Sequence, residues 1–297
     1  MELANLRDRF PVLDGLILQA TGFVARRRVV LAADDRVLIL VWWDQGEEQL
    51  IQTDLPPDLI QQGLPLQRNV LAEMVADLLV DQSLSPHSVE LELLLPLPSC
   101  QWRLLDGAAG LEVTSLRRLS PDLNWSLQWQ ESYLTLKSMV ERESSLLVGV
   151  DRVMLQAWIE TVALADVGLR QAEWLLVAAW RGLQALNDDL QGEWIWLIEH
   201  LGQWRLVVLC DGLPELDVSL QTSQVEPLRE EVLFFLDAWD EKRQQVATDR
   251  SWWVTAGQDW QGSWAAGHQS EHHGPIVSDG EWSLLQLALK APSAVGS

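Results

Sequence analysis

Basic side chains are scarce in this sequence. Lys and Arg total 21 against 43 Asp and Glu, which leaves a formal charge of −22 and a pI near 4.4. A field of that sign repels phosphodiester backbones and anionic lipid, so it argues against nucleic acid and direct membrane insertion and leaves cationic segments as the favoured partners. Cysteine is scarcer still. Cys100 and Cys210 stand far apart in strand-like runs, the pattern of buried thiols in a reducing compartment rather than of a disulfide framework. Long apolar runs are missing: Leu91–Leu97 contains Glu92 and Pro96 and falls far short of the ~18 residues that span a bilayer. The start, Met1-Glu-Leu-Ala-Asn5, has no basic stretch leading into an apolar one, so no secretory leader is read and a cytoplasmic location is expected. G-x-S-x-G, Walker, G-x-G-x-x-G and C-x-x-C motifs are also absent, which removes the commonest nucleophile, phosphate-loop, dinucleotide and redox signatures. Phe (four) and Tyr (one) are rare, and 17 Trp stand in their place. Trp158, Trp174 and Trp180 lie in helix-like runs and read as core; for the remainder, core filling and exposed groove anchoring are the two readings.

What the chain does have is a segment that occurs twice. Leu31–Gly46 and Leu197–Gly212 share one layout: a β-rich run, a short polar turn, a second β-rich run and a stop at Gly. Each reads as a hairpin. A third strand is expected at Glu48–Asp54 after the first hairpin and at Leu216–Leu220 after the second. Helices are expected at Asn69–Asp81, where Val70, Leu71, Met74, Val75, Leu78 and Leu79 repeat on one face and Asn69 can cap, and at Val225–Gln245, with Ser223 and Glu226 spaced as a capping box. Val89–Leu97 alternates as a half-exposed strand, and Ser251–Thr255 reads as a buried one. Between the halves, Trp102–Leu105, Leu111–Ser115, Trp125–Trp129, Tyr133–Lys137 and Ser145–Val150 are strand candidates. Asp151–Ala165 is an amphipathic helix that Gly168 would terminate, and Leu175–Leu186 is an apolar helix leading to a polar hinge at Asn187–Gly192. A closing helix is expected at Glu281–Lys290. The fold class is therefore α/β, with helices packed on mixed sheets.

One hairpin unit used in each half is the plan of the actin-like two-lobed fold. In order and spacing the chain resembles the PilM family of type IV pilus assembly proteins, over roughly residues 25–290. The resemblance rests on the first hairpin, the Leu55-Pro56-Pro57 exit, the helix at Asn69–Asp81, the strand ending in Leu97-Pro98, Gly168-Leu169 leading to Arg181-Gly182-Leu183, the second hairpin, Ala256-Gly257 and the closing Leu287-Ala-Leu-Lys290. It implies a lead-in over 1–24, a first lobe over 25–190 with an inserted α/β subdomain at about 86–150, a second lobe over 191–275, and a closing helix and tail over 276–297. It implies a cytoplasmic scaffold of pilus or competence machinery, peripheral at the inner membrane. That scaffold would hold the cytoplasmic tail of a PilN-like inner-membrane protein, with the pilus assembly ATPase as a second candidate partner.

The chain departs from that family at the phosphate turns. The first turn is Ala33-Asp34-Asp35-Arg36, without Gly or Ser, and the second, Glu199-His-Leu-Gly202-Gln, keeps one Gly. A phosphate cradle needs backbone N–H groups turned inward, which Gly permits, and two carboxylates would repel the ligand. The degenerate nucleotide site implied by the resemblance is thus Asp34, Asp35, Arg36, Gly202, Ala256 and Gly257. Nothing beyond weak ATP and magnesium binding is expected of it, and no catalytic residue is assigned. The alternatives are an active actin-like ATPase or sugar-kinase relative, and an unrelated acidic adaptor. Asp34 and Asp35 read as solvated turn residues rather than an acid–base pair. His268, His272 and His273 lie in a Gly-containing loop and are not read as a metal site.

Overall fold

A computed structural model describes residues 26–106, 114, 131–139, 144–186, 190–200, 202–222, 224–244, 250–256 and 283–290. In chain order the elements are β1 (Arg27–Ala33), β2 (Val37–Asp44), β3 (Glu47–Asp54), β4 (Ile60–Gln61), β5 (Leu64–Pro65), α1 (Arg68–Asp81), β6 (Val89–Leu95), β7 (Cys100–Asp106), β8 (Ser132–Met139), β9 (Ser144–Asp151), α2 (Arg152–Leu164), β10 (Gly168–Trp174), α3 (Leu175–Leu186), β11 (Glu193–His200), β12 (Gln203–Cys210), β13 (Leu213–Leu220), α4 (Val225–Arg243), β14 (Arg250–Thr255) and α5 (Leu284–Lys290). They form two compact units, one of Met1–Pro96 with Val153–Glu173 and one of Leu97–Arg152 with Trp174–Ser297.

Both expected hairpins are present, and the duplication extends past them. In the first unit β1 pairs antiparallel with β2, β2 with β3, and β1 parallel with β6. In the second, β11 pairs antiparallel with β12, β12 with β13, and β11 parallel with β14. The orders β6-β1-β2-β3 and β14-β11-β12-β13 are thus the same. A parallel partner cannot follow a tight turn and needs a crossover element. Between β3 and β6 that element is α1, and between β13 and β14 it is α4. Each helix turns apolar residues inward: Leu71, Val75 and Leu79 in α1, and Leu228, Val232, Leu236 and Trp239 in α4, the latter packed with Ile195, Leu197, Leu206, Val208 and Trp252.

The first sheet gains a fifth strand, β10, beside β6. This corrects the reading of Val89–Leu97 as a half-exposed strand; the strand runs over Val89–Leu95. With neighbours on both sides β6 is central, and Glu92, which looked like an outward residue, is 3% exposed. Its carboxylate is held by Arg28 of β1 at 2.5 Å and Arg170 of β10 at 3.7 Å, as a buried carboxylate must be. The strand therefore belongs to the first sheet, and the separate three-stranded sheet, β7-β9-β8, begins at Cys100. Gly168 does not stop α2 but opens β10. The helix ends at Leu164, and just beyond it Asp166 takes a φ of +57°, with the Val167 N–H reaching back to the Val162 carbonyl. Asn69 lies inside α1, whose N-cap is Gln67, and the N-cap of α4 is Gln224; neither makes a side-chain capping bond. The strands expected at Leu111–Ser115 and Trp125–Trp129, apart from Thr114, lie outside the described residues, as do residues 1–24 and Ser223.

Tryptophan is core material throughout the described residues. Trp158, Trp196 and Trp252 are fully buried, and Trp43 and Trp194 are the most open, at half-buried. Several indole N–H groups have fixed acceptors: Trp158 donates to the Gly63 carbonyl (2.9 Å), Trp180 to the Gly212 carbonyl (2.8 Å) and Trp196 to Thr255 Oγ1 (2.9 Å). Trp102 stands edge-on to Trp174 and Trp180, at 5.3 and 5.8 Å between ring centres.

Two predictions follow from the second unit. A Cβ built on Gly182 of α3 would lie 1.8 Å from the Leu287 backbone oxygen of α5. Gly182→Ala should therefore cost about 3 kcal/mol or more in urea unfolding, because backbone rather than a flexible side chain must move. Burial pushes the Cys210 thiol from 9.0 up to about 12, with the charge of Glu215 adding to it. A raised thiol pKa stabilises the fold fully below the unfolded value. That contribution should fall away as pH rises from 9.0 toward about 12, and Cys210→Ala should flatten this part of the stability–pH curve.

Candidate functional site

The first hairpin turn is closed by the Asp34 N–H donating to the Val37 carbonyl at 3.0 Å. The Asp34 side chain is buried, and its Oδ1 accepts from the backbone N–H groups of Arg36 (2.7 Å) and Val37 (3.0 Å). This is the short-range capping that Asp favours in turns. Asp35 points elsewhere. Its Oδ2 accepts from the Gln62 N–H and its Oδ1 from the Gly63 N–H, both at 2.8 Å. Neither carboxylate is merely solvated, contrary to the expectation from sequence: one fills its own turn and the other fills the turn between β4 and β5. Arg36 is exposed, and its carbonyl accepts from the Leu55 N–H at 2.7 Å.

The turn between β4 and β5 was not read from the sequence. Its strands are two residues each, too short for a periodic signal. Gln62 and Gly63 have φ of +49° and +80°, as a two-residue hairpin turn of this hand requires. Gly63 is fixed on three sides. Its N–H meets Asp35, its carbonyl takes the Trp158 indole, and a Cβ on it would lie 2.6 Å from Pro96 Cγ.

The second unit repeats the theme with other residues. At the turn between β11 and β12, Glu199 Oε1 accepts from the Gly202 N–H at 2.6 Å. Gly202 has φ of +77°, and a Cβ there would meet nothing within 4 Å, so the glycine serves the turn's backbone and not a close approach. Ala256 directly follows β14, and Gly257 lies outside the described residues, as do His268, His272 and His273. Asp34, Asp35 and Arg36 thus share one turn, and Gly202 sits in the matching turn of the second unit. Among the described residues no group of three His, Cys, Asp or Glu is placed to hold a metal ion. No described helix is long and apolar enough to cross a membrane.

The duplicated ββ-β-α-β units define the class: the chain has the actin-like ATPase fold. Among solved structures it is similar to a PilM–PilN type IV pilus biogenesis complex, at 13% identity and a TM-score of 0.60 over 82% of this chain and 84% of that one. It is similar to the cytoplasmic domain of EpsL, an inner-membrane component of the type II secretion system of Vibrio cholerae, at 10% identity and a TM-score of 0.53 over 89% and 93% of the two chains. A Bacteroides thetaiotaomicron protein with an actin-like ATPase fold and unknown function matches at 8% identity and a TM-score of 0.51 over 83% and 88%. No protein-family model and no curated protein sequence matches the chain.

Asp35→Ala leaves the Gln62 and Gly63 N–H groups without their acceptor and should cost about 1–2 kcal/mol in urea unfolding at neutral pH. Arg36→Ala, at an exposed side chain, should leave the midpoint unchanged.

Proposed function

We propose that this protein is a PilM-like scaffold of a type IV pilus or related secretion or competence machine, with a nucleotide site that no longer works. In this reading it resides in the cytoplasm, held at the inner membrane by a PilN-like partner whose short cytoplasmic tail it binds. The pilus assembly ATPase is a second partner of the same complex. The observation that carries the loss of nucleotide chemistry is the pair of carboxylates on the hairpin turns. An actin-like ATPase presents the backbone N–H groups of these turns to phosphate. Here Asp34 occupies those of Arg36 and Val37, and Glu199 occupies that of Gly202. A phosphate would have to displace a carboxylate from each turn and then sit beside it, against like-charge repulsion. The fold it shares with the PilM–PilN complex over most of both chains supports the pilus assignment. The charge of −22 supports a cationic partner tail.

The test uses the full-length protein. ATP turnover should equal the buffer background, and magnesium with ATP should leave Tm unchanged. The synthetic N-terminal tail of the inner-membrane protein encoded beside it should bind by calorimetry, more weakly as salt rises. A magnesium-dependent turnover that disappears in Asp34→Ala, or a Tm rise of several degrees with magnesium and ATP, favours the active enzyme instead. Absence of tail binding at low and moderate salt removes the scaffold reading.

A further inference from the structure

The two duplicated sheets end on equivalent strands, and the two ends are built differently. In the second unit the outer strand β13 carries Pro214, and its register with β12 shifts between Val208 and Leu209. Asp217 is clamped by Arg205 at 2.5 and 2.6 Å, and β7 lies against the strand. Proline, irregular register and a covering element are the devices that stop an edge from pairing with another chain. Among the described residues, the outer strand β3 of the first unit has none of these three. Its eight residues, Glu-Glu-Gln-Leu-Ile-Gln-Thr-Asp, pair with β2 in unbroken register from Val37↔Asp54 to Asp44↔Glu47. Among the described residues β3 has a strand on one side only.

The side chains along that edge show what fits. Glu48, Leu50, Gln52 and Asp54 share one face and are exposed, Leu50 by 52%. Among the described residues none of Glu47, Glu48 and Asp54 has a cationic partner. A second copy of this chain is a poor occupant. Antiparallel pairing of two β3 edges about their centre sets Glu47 against Asp54 at both ends, and like charges directly opposite are destabilising. An incoming strand with cations opposite Glu48 and Asp54 and an apolar residue opposite Leu50 satisfies every position.

We propose that β3 is a strand-addition site for an extended basic segment of a partner protein, read as cation, polar, apolar, cation at alternate positions. The backbone ladder supplies the affinity and the two terminal carboxylates the selection. This inference stands whether or not the protein serves a pilus machine.

The probe is the peptide acetyl-Lys-Thr-Gln-Thr-Val-Thr-Lys-amide, added in excess to the full chain, with hydrogen–deuterium exchange read along the sequence. Exchange in Glu47–Asp54 should slow by about tenfold. Two peptide isomers of identical charge, N-methylated on one or the other alternate set of amides, separate ladder formation from general attraction to an acidic protein. One isomer should bind as the parent does, and the other should lose about tenfold or more in affinity. The double substitution Glu48→Lys with Asp54→Lys, at exposed positions, should abolish binding of the parent and admit a Glu-for-Lys peptide. Equal binding by the two isomers, protection confined to other segments, unchanged binding by the charge-reversed protein, or self-association through β3 without peptide would each overturn the proposal.

Discussion

Gly63 is the point on which the first unit closes. Three elements remote in sequence meet its backbone: the hairpin turn through Asp35, α2 through the Trp158 indole, and the end of β6 through the Pro96 ring. The contacts use the N–H, the carbonyl and the space where a side chain would be, so no group of this residue is spare. Its left-handed φ excludes most other residues at the outset. The Pro96 contact excludes the rest, because a Cβ at 2.6 Å would meet a ring that cannot swing aside as a long flexible chain would. The same junction seats Trp158, a fully buried indole whose N–H would otherwise be orphaned.

The Asp35 contact to that junction is one of three carboxylate contacts at the hairpin turns. Backbone N–H groups at a hairpin turn can be held for an anion or used to hold the protein, and here they are used. Asp34 satisfies its own turn, while Asp35 leaves that turn to satisfy Gln62 and Gly63. The second unit reaches the same end by a different route, with Glu199 reaching forward three residues to Gly202. Equivalent turns in the two units thus have their backbone N–H groups met by carboxylates placed differently in sequence.

Much of this was legible in advance because the hairpins, α1, α3 and α4 carry strong periodic or β-branched patterns. Leu175–Leu186 was bounded correctly by apolar content alone, and the turn between β1 and β2 was placed, although β1 begins at Arg27, four residues before the Leu31 start read from sequence. What failed did so for identifiable reasons. β10 reads Gly-Leu-Arg-Gln-Ala-Glu-Trp, and as an edge strand it shows too few apolar residues to announce itself. Glu90 and Glu92 made β6 look half-solvated. A sequence cannot show that Arg28 and Arg170 arrive from neighbouring strands to neutralise Glu92. Asp34 and Asp35 were correctly placed in a turn, but the role of Asp35 depends on β4 and β5, whose two-residue strands leave no pattern.

Several of the least exposed carboxylates among the described residues are met by arginines. The chain holds 21 Lys and Arg, and several arginines are committed to carboxylates that are largely buried. Arg28 and Arg170 serve Glu92, Arg205 serves Asp217, and Arg243 and Arg250 serve Glu193, with Arg250 also meeting Asp240. A buried carboxylate must be paired, because one left alone is far more costly than any surface charge. These cations go where desolvation is worst, whereas Arg26, Arg27 and Arg68 pair with the more exposed Glu90, Asp44 and Glu160. Carboxylates on the outer strand β3 are left without them, although β3 lies only two strands from Arg28. Along β3, among the described residues, unpaired carboxylates coincide with a backbone edge that has a strand on one side only.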